Sequence, residues 1–137
     1  MNPTSEVIGI EHIPELVEMS KTNLTNDDGM IEKVKVILGD GRNSNDELTG
    51  HFDAIHVGAA APRIPEFLME KLANNGRMII PVGPEGETQT YKQIDKDDAG
   101  KVEITNMMGV IYVPLTDKNH QLEVSSKKVE KYQKDQF

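Results

Sequence analysis

The sequence predicts an α/β fold with parallel strands and an antiparallel hairpin toward its C-terminal end. Three observations predict it. Short apolar runs alternate with segments of helical spacing, in the order strand, helix, strand, strand, helix, strand. Most of these runs close on glycine-rich turns, as strands do when a loop must approach a ligand. Past Gly86 the pattern changes to two β-type stretches around one charged turn. In open α/β sheets ligands sit outside the carboxyl ends of the strands, so the site is expected around the turns, above all Asp53 to Pro62.

Each element follows from its residues. Val7-Ile8-Gly9-Ile10 is a strand closed by Glu11 and His12. From Ile13, the positions of Leu16, Val17 and Leu24 keep helical spacing, with Pro14 tolerated in a first turn and a stop at Asn26-Asp27-Asp28-Gly29. Val34, Val36, Ile37 and Leu38 form the second strand, ended by Gly39-Asp40-Gly41. Phe52 to Val57 is the third strand and runs into the nearly side-chain-free Gly58-Ala59-Ala60-Ala61, followed by Pro62. A short helix at Glu66–Leu72 is expected to stop at Asn74-Asn75-Gly76, before a fourth strand at Met78–Val82. Thr88–Ile94 and Val102–Met107 pair as the hairpin, joined by Asp95 to Gly100, and Val110–Leu115 is expected to continue it. Ser125 to Gln136 is a Lys/Glu/Gln stretch with weak helical spacing and reads as a frayed tail. The expected organisation is one domain over residues 1–122 and a polar, flexible tail over 123–137.

Composition narrows the partners. The 137 residues suit a single domain, and 23 acidic against 15 basic residues give a net charge of -8. That charge opposes the positive field on which nucleic-acid and anionic-membrane binding depend, so neither partner is expected. The chain has no cysteine and no apolar run of about 18 residues, which points to a cytosolic location.

Three carboxylates at or in the strands are candidates for recognition. A carboxylate at a strand tip can accept both hydroxyls of a ribose, which makes Glu11 a candidate, although a strand end meeting solvent explains it equally. Asp40, between two glycines, could accept an exocyclic amine while the glycines let a ring approach the backbone; an ordinary Gly-Asp-Gly turn is the simpler explanation. Asp53, inside a strand, suits a structural acceptor. His56, in an apolar strand, suits a core histidine bonded to backbone better than a substrate contact. The four histidines lack metal-ligand spacing, so no metal is expected. No Gly-x-Ser-x-Gly, Walker or Gly-x-Gly-x-x-Gly motif occurs.

Five stretches in order carry a specific resemblance: Val7-Ile-Gly-Ile-Glu-His12, Leu38-Gly-Asp-Gly-Arg42, Phe52 to Pro62, Gly76-Arg-Met-Ile-Ile-Pro-Val-Gly-Pro84 and Gly109 to Lys118. Together they resemble protein-L-isoaspartate O-methyltransferase, a class I S-adenosylmethionine-dependent family, over about Glu6 to Gln121. The resemblance implies a Rossmann-like methyltransferase sheet, S-adenosyl-L-methionine as cofactor, and isoaspartyl-containing proteins or peptides as substrates in protein repair. It implies Glu11 and His12 at the ribose, Asp40 and Gly41 at the adenine, and Thr116 and Gln121 at the methionine end of the cofactor. Glu11 stands where the family usually has Asp. Val57, Gly58, Ala59 and Ala60, with Val110, Ile111, Tyr112 and Val113, would border the substrate peptide. No acid–base dyad is expected, because the isoaspartyl carboxylate is already nucleophilic and alignment alone can lower a barrier by about 7–11 kcal/mol. A monomer is implied for a complete enzyme.

The resemblance also implies upstream parts: a helical region, a Ser-containing substrate loop and a first strand ending in a glycine-rich cofactor loop. None precedes Val7, so the chain reads as truncated at its N-terminus and its sheet as incomplete. The missing strand would lie between the strands at Val7–Ile10 and Phe52–Val57. Two blocks of strands are therefore expected to lack their common neighbour, leaving the chain marginally stable and weakly active or inactive alone. The alternative is a non-catalytic product, a ligand-binding remnant or an interaction module that pairs an open strand edge with another chain. A methyltransferase for another substrate is a third reading, disfavoured by the Val57–Pro62 loop. Finally, Asn75-Gly76 and Asp28-Gly29 are dipeptides that can isomerise through a succinimide, which would make this chain a substrate for full-length relatives.

Overall fold

A computed structural model describes residues 5–27, 30–43 and 46–134. They fall into two compact units, Met1–Glu47 with Thr116–Phe137, and Leu48–Leu115.

In the first unit, β1 (Val7–Glu11) and β2 (Val34–Leu38) form a two-stranded parallel sheet with Glu11 opposite Leu38. They are joined by α1 (Pro14–Thr25) and a single 3-10 turn at Met30–Glu32. Proline opens α1, where its missing N–H costs nothing, and Val17 buries against the sheet with Ile37 at the base of this small core. The helix ends at Asn26, whose N–H still reaches the Thr22 carbonyl; the expected glycine stop at Asp28-Gly29 lies outside the described residues. The first unit closes with α2 (Lys118–Lys134). Helix α2 is polar and runs through residue 122, where the tail is expected to begin. Asp117 explains its start, accepting the His120 N–H on Oδ1 at 3.0 Å while its carbonyl takes the Gln121 N–H.

The second unit is a four-stranded sheet in the order β3-β4-β5-β6, from β3 (Phe52–His56), β4 (Leu72–Val82), β5 (Gln89–Lys96) and β6 (Val102–Val110), with α3 (Glu66–Lys71) between β3 and β4. Strands β3 and β4 are parallel, and the rest of the sheet is antiparallel. Leu72, Met78, Ile80 and Ile94 are fully buried and form its core with Ala61 and Leu68. Lys96 donates to the Met69 and Leu72 carbonyls and so satisfies the end of α3. Pro81 sits inside β4 without losing a ladder bond: its carbonyl accepts the Ala61 N–H on the side where β3 has already ended.

Two expected blocks of strands are thus two separate sheets, and among the described residues β1 pairs only with β2 and β3 only with β4.

Three expectations need correction. Asn74-Asn75-Gly76 does not stop α3; the helix ends at Lys71, Leu72 turns extended to bury its side chain, and the Asn-Asn-Gly run is an irregularity within β4. The strand register jumps from Phe52↔Leu72 to Ala54↔Arg77, so four residues of β4 bulge past a single residue of β3. Second, β6 ends at Val110, and Val110–Leu115 does not continue the hairpin; Pro114 makes an isolated parallel bridge to Ala60 instead. Third, His56 is exposed on β3 and is not a core histidine.

The bulge dictates its own residues. Asn75 adopts φ 61°, a left-handed conformation that Asn tolerates best among residues with a side chain. A Cβ at Gly76 would stand 2.7 Å from the Ala73 carbonyl oxygen and 3.1 Å from that of Asp53. Gly76→Ala is therefore expected to destabilise this unit by about 1–3 kcal/mol in urea denaturation, and an unchanged midpoint would contradict the packing described.

Candidate functional site

The strand ends of the first unit gather the charged groups. β1 and β2 are parallel neighbours, so their carboxyl ends emerge side by side, and the Gly39 N–H donates to the Glu11 carbonyl at 3.0 Å. Glu11 Oε1 accepts the Ile13 N–H at 2.8 Å, which turns the chain into α1. Among the described residues its Oε2 has no hydrogen-bond partner, and the side chain is 33% exposed. His12 Nε2 lies against Gln121 Oε1 on the first turn of α2, and 4.0 Å from Glu11 Oε1. Thr116 immediately precedes the Asp117 cap. Within this unit the structure thus brings Glu11, His12 and Gln121 into one cluster beside the Gly39-Asp40-Gly41 turn.

Asp40 is held differently from what a free acceptor requires. The Arg42 guanidinium grips it with Nε at 3.0 Å from Oδ1 and Nη2 at 2.6 Å from Oδ2, and the Arg42 N–H adds a bond to Oδ1 at 2.9 Å. This fork holds the Asp40 carboxyl below the ordinary carboxylate range, with the nearby His12 a minor contributor, and raises Arg42 in return. The Asp117 carboxyl is also lowered, chiefly by the His120 N–H. Arg42 was not visible as a site residue in the sequence; its signal was the Asp-x-Arg spacing, which places guanidinium and carboxylate on one turn.

Because the folded pKa of Asp40 is lowered, its contribution is complete above the unfolded value of about 3.9 and is lost as pH falls through the lower folded value. Arg42→Ala is expected to move the Asp40 titration up toward the ordinary value, while costing no more than about 1 kcal/mol at neutral pH because both groups are partly exposed. Carboxyl NMR titration checks it, and an unmoved Asp40 would contradict the pairing.

The second unit joins the two other segments that the sequence singles out. The Ala60 N–H donates to the Val113 carbonyl and the Leu115 N–H to the Ala60 carbonyl, both at 2.8 Å, so the strip Val110–Val113 meets Val57–Ala60 at Ala60. Ala60 is buried, whereas Ile111 is 80% and Val113 67% exposed. Gln89, 1% exposed, ties this strip down: Oε1 accepts the Tyr112 N–H at 2.8 Å and Nε2 donates to the Pro84 carbonyl at 3.0 Å. Tyr112 also stacks on Tyr91, with ring centroids 6.1 Å apart. Neither Gln89 nor Tyr91 stood out in the sequence, because a single polar residue in a strand gives no sign of being buried.

The family model for protein-L-isoaspartate(D-aspartate) O-methyltransferase matches residues 1–120. The chain belongs to that family. It is 44% identical over 118 residues to a protein-L-isoaspartate O-methyltransferase of Caenorhabditis elegans, covering 84% of this chain and 52% of that protein. It is 44% identical over 119 residues to protein-L-isoaspartate O-methyltransferase 1 of Arabidopsis thaliana, covering 84% and 50%. A Plasmodium falciparum family protein crystallised in complex with S-adenosyl-L-homocysteine superposes with a TM-score of 0.72 at 36% identity, over 84% of this chain and 54% of that one. The chain spans about half the length of the curated relatives it matches. The isoaspartyl methyltransferase fold thus accounts for the parallel strands and the antiparallel hairpin together.

Proposed function

We propose that this chain serves S-adenosylmethionine-dependent methyl transfer to the carboxylate of L-isoaspartyl residues in damaged proteins. The observation that carries the reading is the pairing of Glu11 and the Asp40 turn at the ends of adjacent parallel strands, in a chain of this family. Bound S-adenosylmethionine supplies a methyl group already activated on a sulfonium. The residues present fit it: Glu11 keeps one carboxylate oxygen for ribose hydroxyls, and His12 and Gln121 flank it. Asp40 can accept an adenine amine once Arg42 yields part of its grip, since three Arg42 N–H groups already engage both of its oxygens. Gly41 leaves the turn without a side chain, and Thr116 stands at the start of α2 for the methionine end. In the second unit, Val57–Ala60 and Val110–Val113 offer an apolar, backbone-rich strip to a peptide. The substrate carboxylate needs no base, so these residues orient and desolvate.

The same reading places the enzyme in the cytosol as a monomer acting on isoaspartyl proteins, without nucleic-acid or membrane partners; among the described residues no helix is long and apolar enough to cross a membrane. We propose further that the 137 residues alone bind the nucleoside but transfer little methyl. The test is radiolabelled methyl transfer to an isoaspartyl peptide, run beside the Caenorhabditis elegans relative. Ester formation far below the relative, with measurable S-adenosylhomocysteine binding, is expected. Absence of binding contradicts the cofactor reading, and a rate equal to the relative contradicts the reading of weak activity. A non-catalytic interaction role is the second reading, favoured by the one-sided pairing of β1 and β3; a stable complex with a full-length relative would support it.

A further inference from the structure

The bulge in β4 builds a chemically labile pair. The left-handed φ of 61° at position 75 selects Asn or Gly, and the crowded carbonyls around position 76 allow only Gly. Two independent steric demands therefore place Asn before Gly, the sequence in which a backbone nitrogen attacks a side-chain amide with least hindrance. Asn75 is exposed, and among the described residues its side chain has no hydrogen-bond partner. Its N–H is held only by a long 3.4 Å bond to the Asp97 carbonyl, and the β3–β4 register is interrupted at this point. The neighbouring Asn74 differs on both counts: its amide donates to the Asp98 carbonyl at 3.0 Å, and the residue after it carries a side chain.

We propose that Asn75 is a spontaneous modification site at which this chain converts to isoaspartate, becoming itself a methyl acceptor for an active isoaspartyl methyltransferase. The Gly76 nitrogen, losing its proton, bonds to Asn75 Cγ; the bond from Cγ to the side-chain nitrogen breaks and ammonia leaves. Water then opens the succinimide. Opening at the main-chain carbonyl leaves the backbone running through the former side chain and frees the α-carboxylate, which takes the methyl group. Water enters, ammonia departs, and no oxidant is needed. Local opening of the bulge gives the Gly76 nitrogen its approach, which the loose tether at Asn75 makes accessible. Only the methyl-acceptor step rests on the family's substrate reading.

The test incubates the purified chain at mildly alkaline pH and follows the tryptic peptide 72–77 by fragmentation mass spectrometry, with Asn74 as internal control. Asn75 is expected to deamidate several times faster than Asn74, with isoaspartate the major product. Aged wild-type chain is then offered to the active Caenorhabditis elegans relative with labelled S-adenosylmethionine, beside an equally aged Asn75→Gly variant, in which glycine adopts the same φ without strain. Label in the aged wild type and a several-fold drop in the variant are expected, any remainder coming from Asp-Gly pairs such as Asp28-Gly29. Retention of the Asn75 amide overturns the proposal. So does isoaspartate that accepts no label, or equal labelling of the variant, which would put the acceptor elsewhere. Because the relative performs the transfer, none of these outcomes depends on whether this chain is itself an active enzyme.

Discussion

Replacing Gln89 with leucine is expected to destabilise the second unit by about 2–3 kcal/mol, although leucine is close to glutamine in volume and more apolar. The reason is the position of both ends of the amide. Gln89, the first residue of β5, is buried against the segment after β6, donating to Pro84 and accepting from Tyr112. Leucine removes both partners at once and leaves the Tyr112 N–H, in a half-buried position, with no acceptor. The apolar gain does not offset that loss, because the side chain was already out of water. Urea denaturation reads the loss of stability. Hydrogen exchange reads its location, since the Tyr112 amide is expected to lose protection before the Met78 and Ile80 amides of the core. An unchanged midpoint with a protected Tyr112 amide would show that Gln89 does not hold the strip of Val110–Val113.

Glu11→Gln is expected to weaken S-adenosylhomocysteine binding by about 10–100-fold, the equivalent of the 1.5–3 kcal/mol assigned to hydrogen bonds made by a charged group. The substitution keeps the shape of the side chain and an oxygen for the Ile13 N–H, so the unliganded fold is expected to change by less than about 0.5 kcal/mol. What it removes is the negative charge that two ribose hydroxyls would share. Glu18→Gln, on the exposed face of α1 where Glu18 pairs with Lys21, provides the control and leaves binding unchanged. Isothermal titration separates the two, and equal affinities for the wild type and the Glu11 variant would remove Glu11 from the site.

Much of this architecture was legible in the residues, and the gaps have physical causes. The strands at Val7, Val34 and Phe52 and helix α1 announced themselves through apolar spacing and turn residues, because burial on one face imposes a period. The separation into two sheets followed from the family resemblance, which implies a strand between those at Val7–Ile10 and Phe52–Val57. Asn74-Asn75-Gly76 was misread as a helix stop because Asn and Gly signal any left-handed backbone, and a bulge needs one as much as a helix end does. The helical stretch from Lys118 onward is far more polar than α1 and has few apolar residues to mark a buried face; its start is set by the local Asp117 cap. In the site, Glu11 and the Gly39–Gly41 turn were visible as strand ends and the Asp-x-Arg spacing held the Asp40–Arg42 pair, whereas the burial of Gln89 depends on a side-chain direction that spacing does not encode.

We propose that the turns closing β1 and β2 receive the nucleoside. Amide NMR spectra of the chain, recorded while S-adenosylhomocysteine is added, test it most directly. Saturable shifts are expected at Glu11–Ile13, Gly39–Arg42 and the first turn of α2, with the β5–β6 hairpin unmoved. Spectra in which those turns stay still, or in which the hairpin moves in their place, would contradict it.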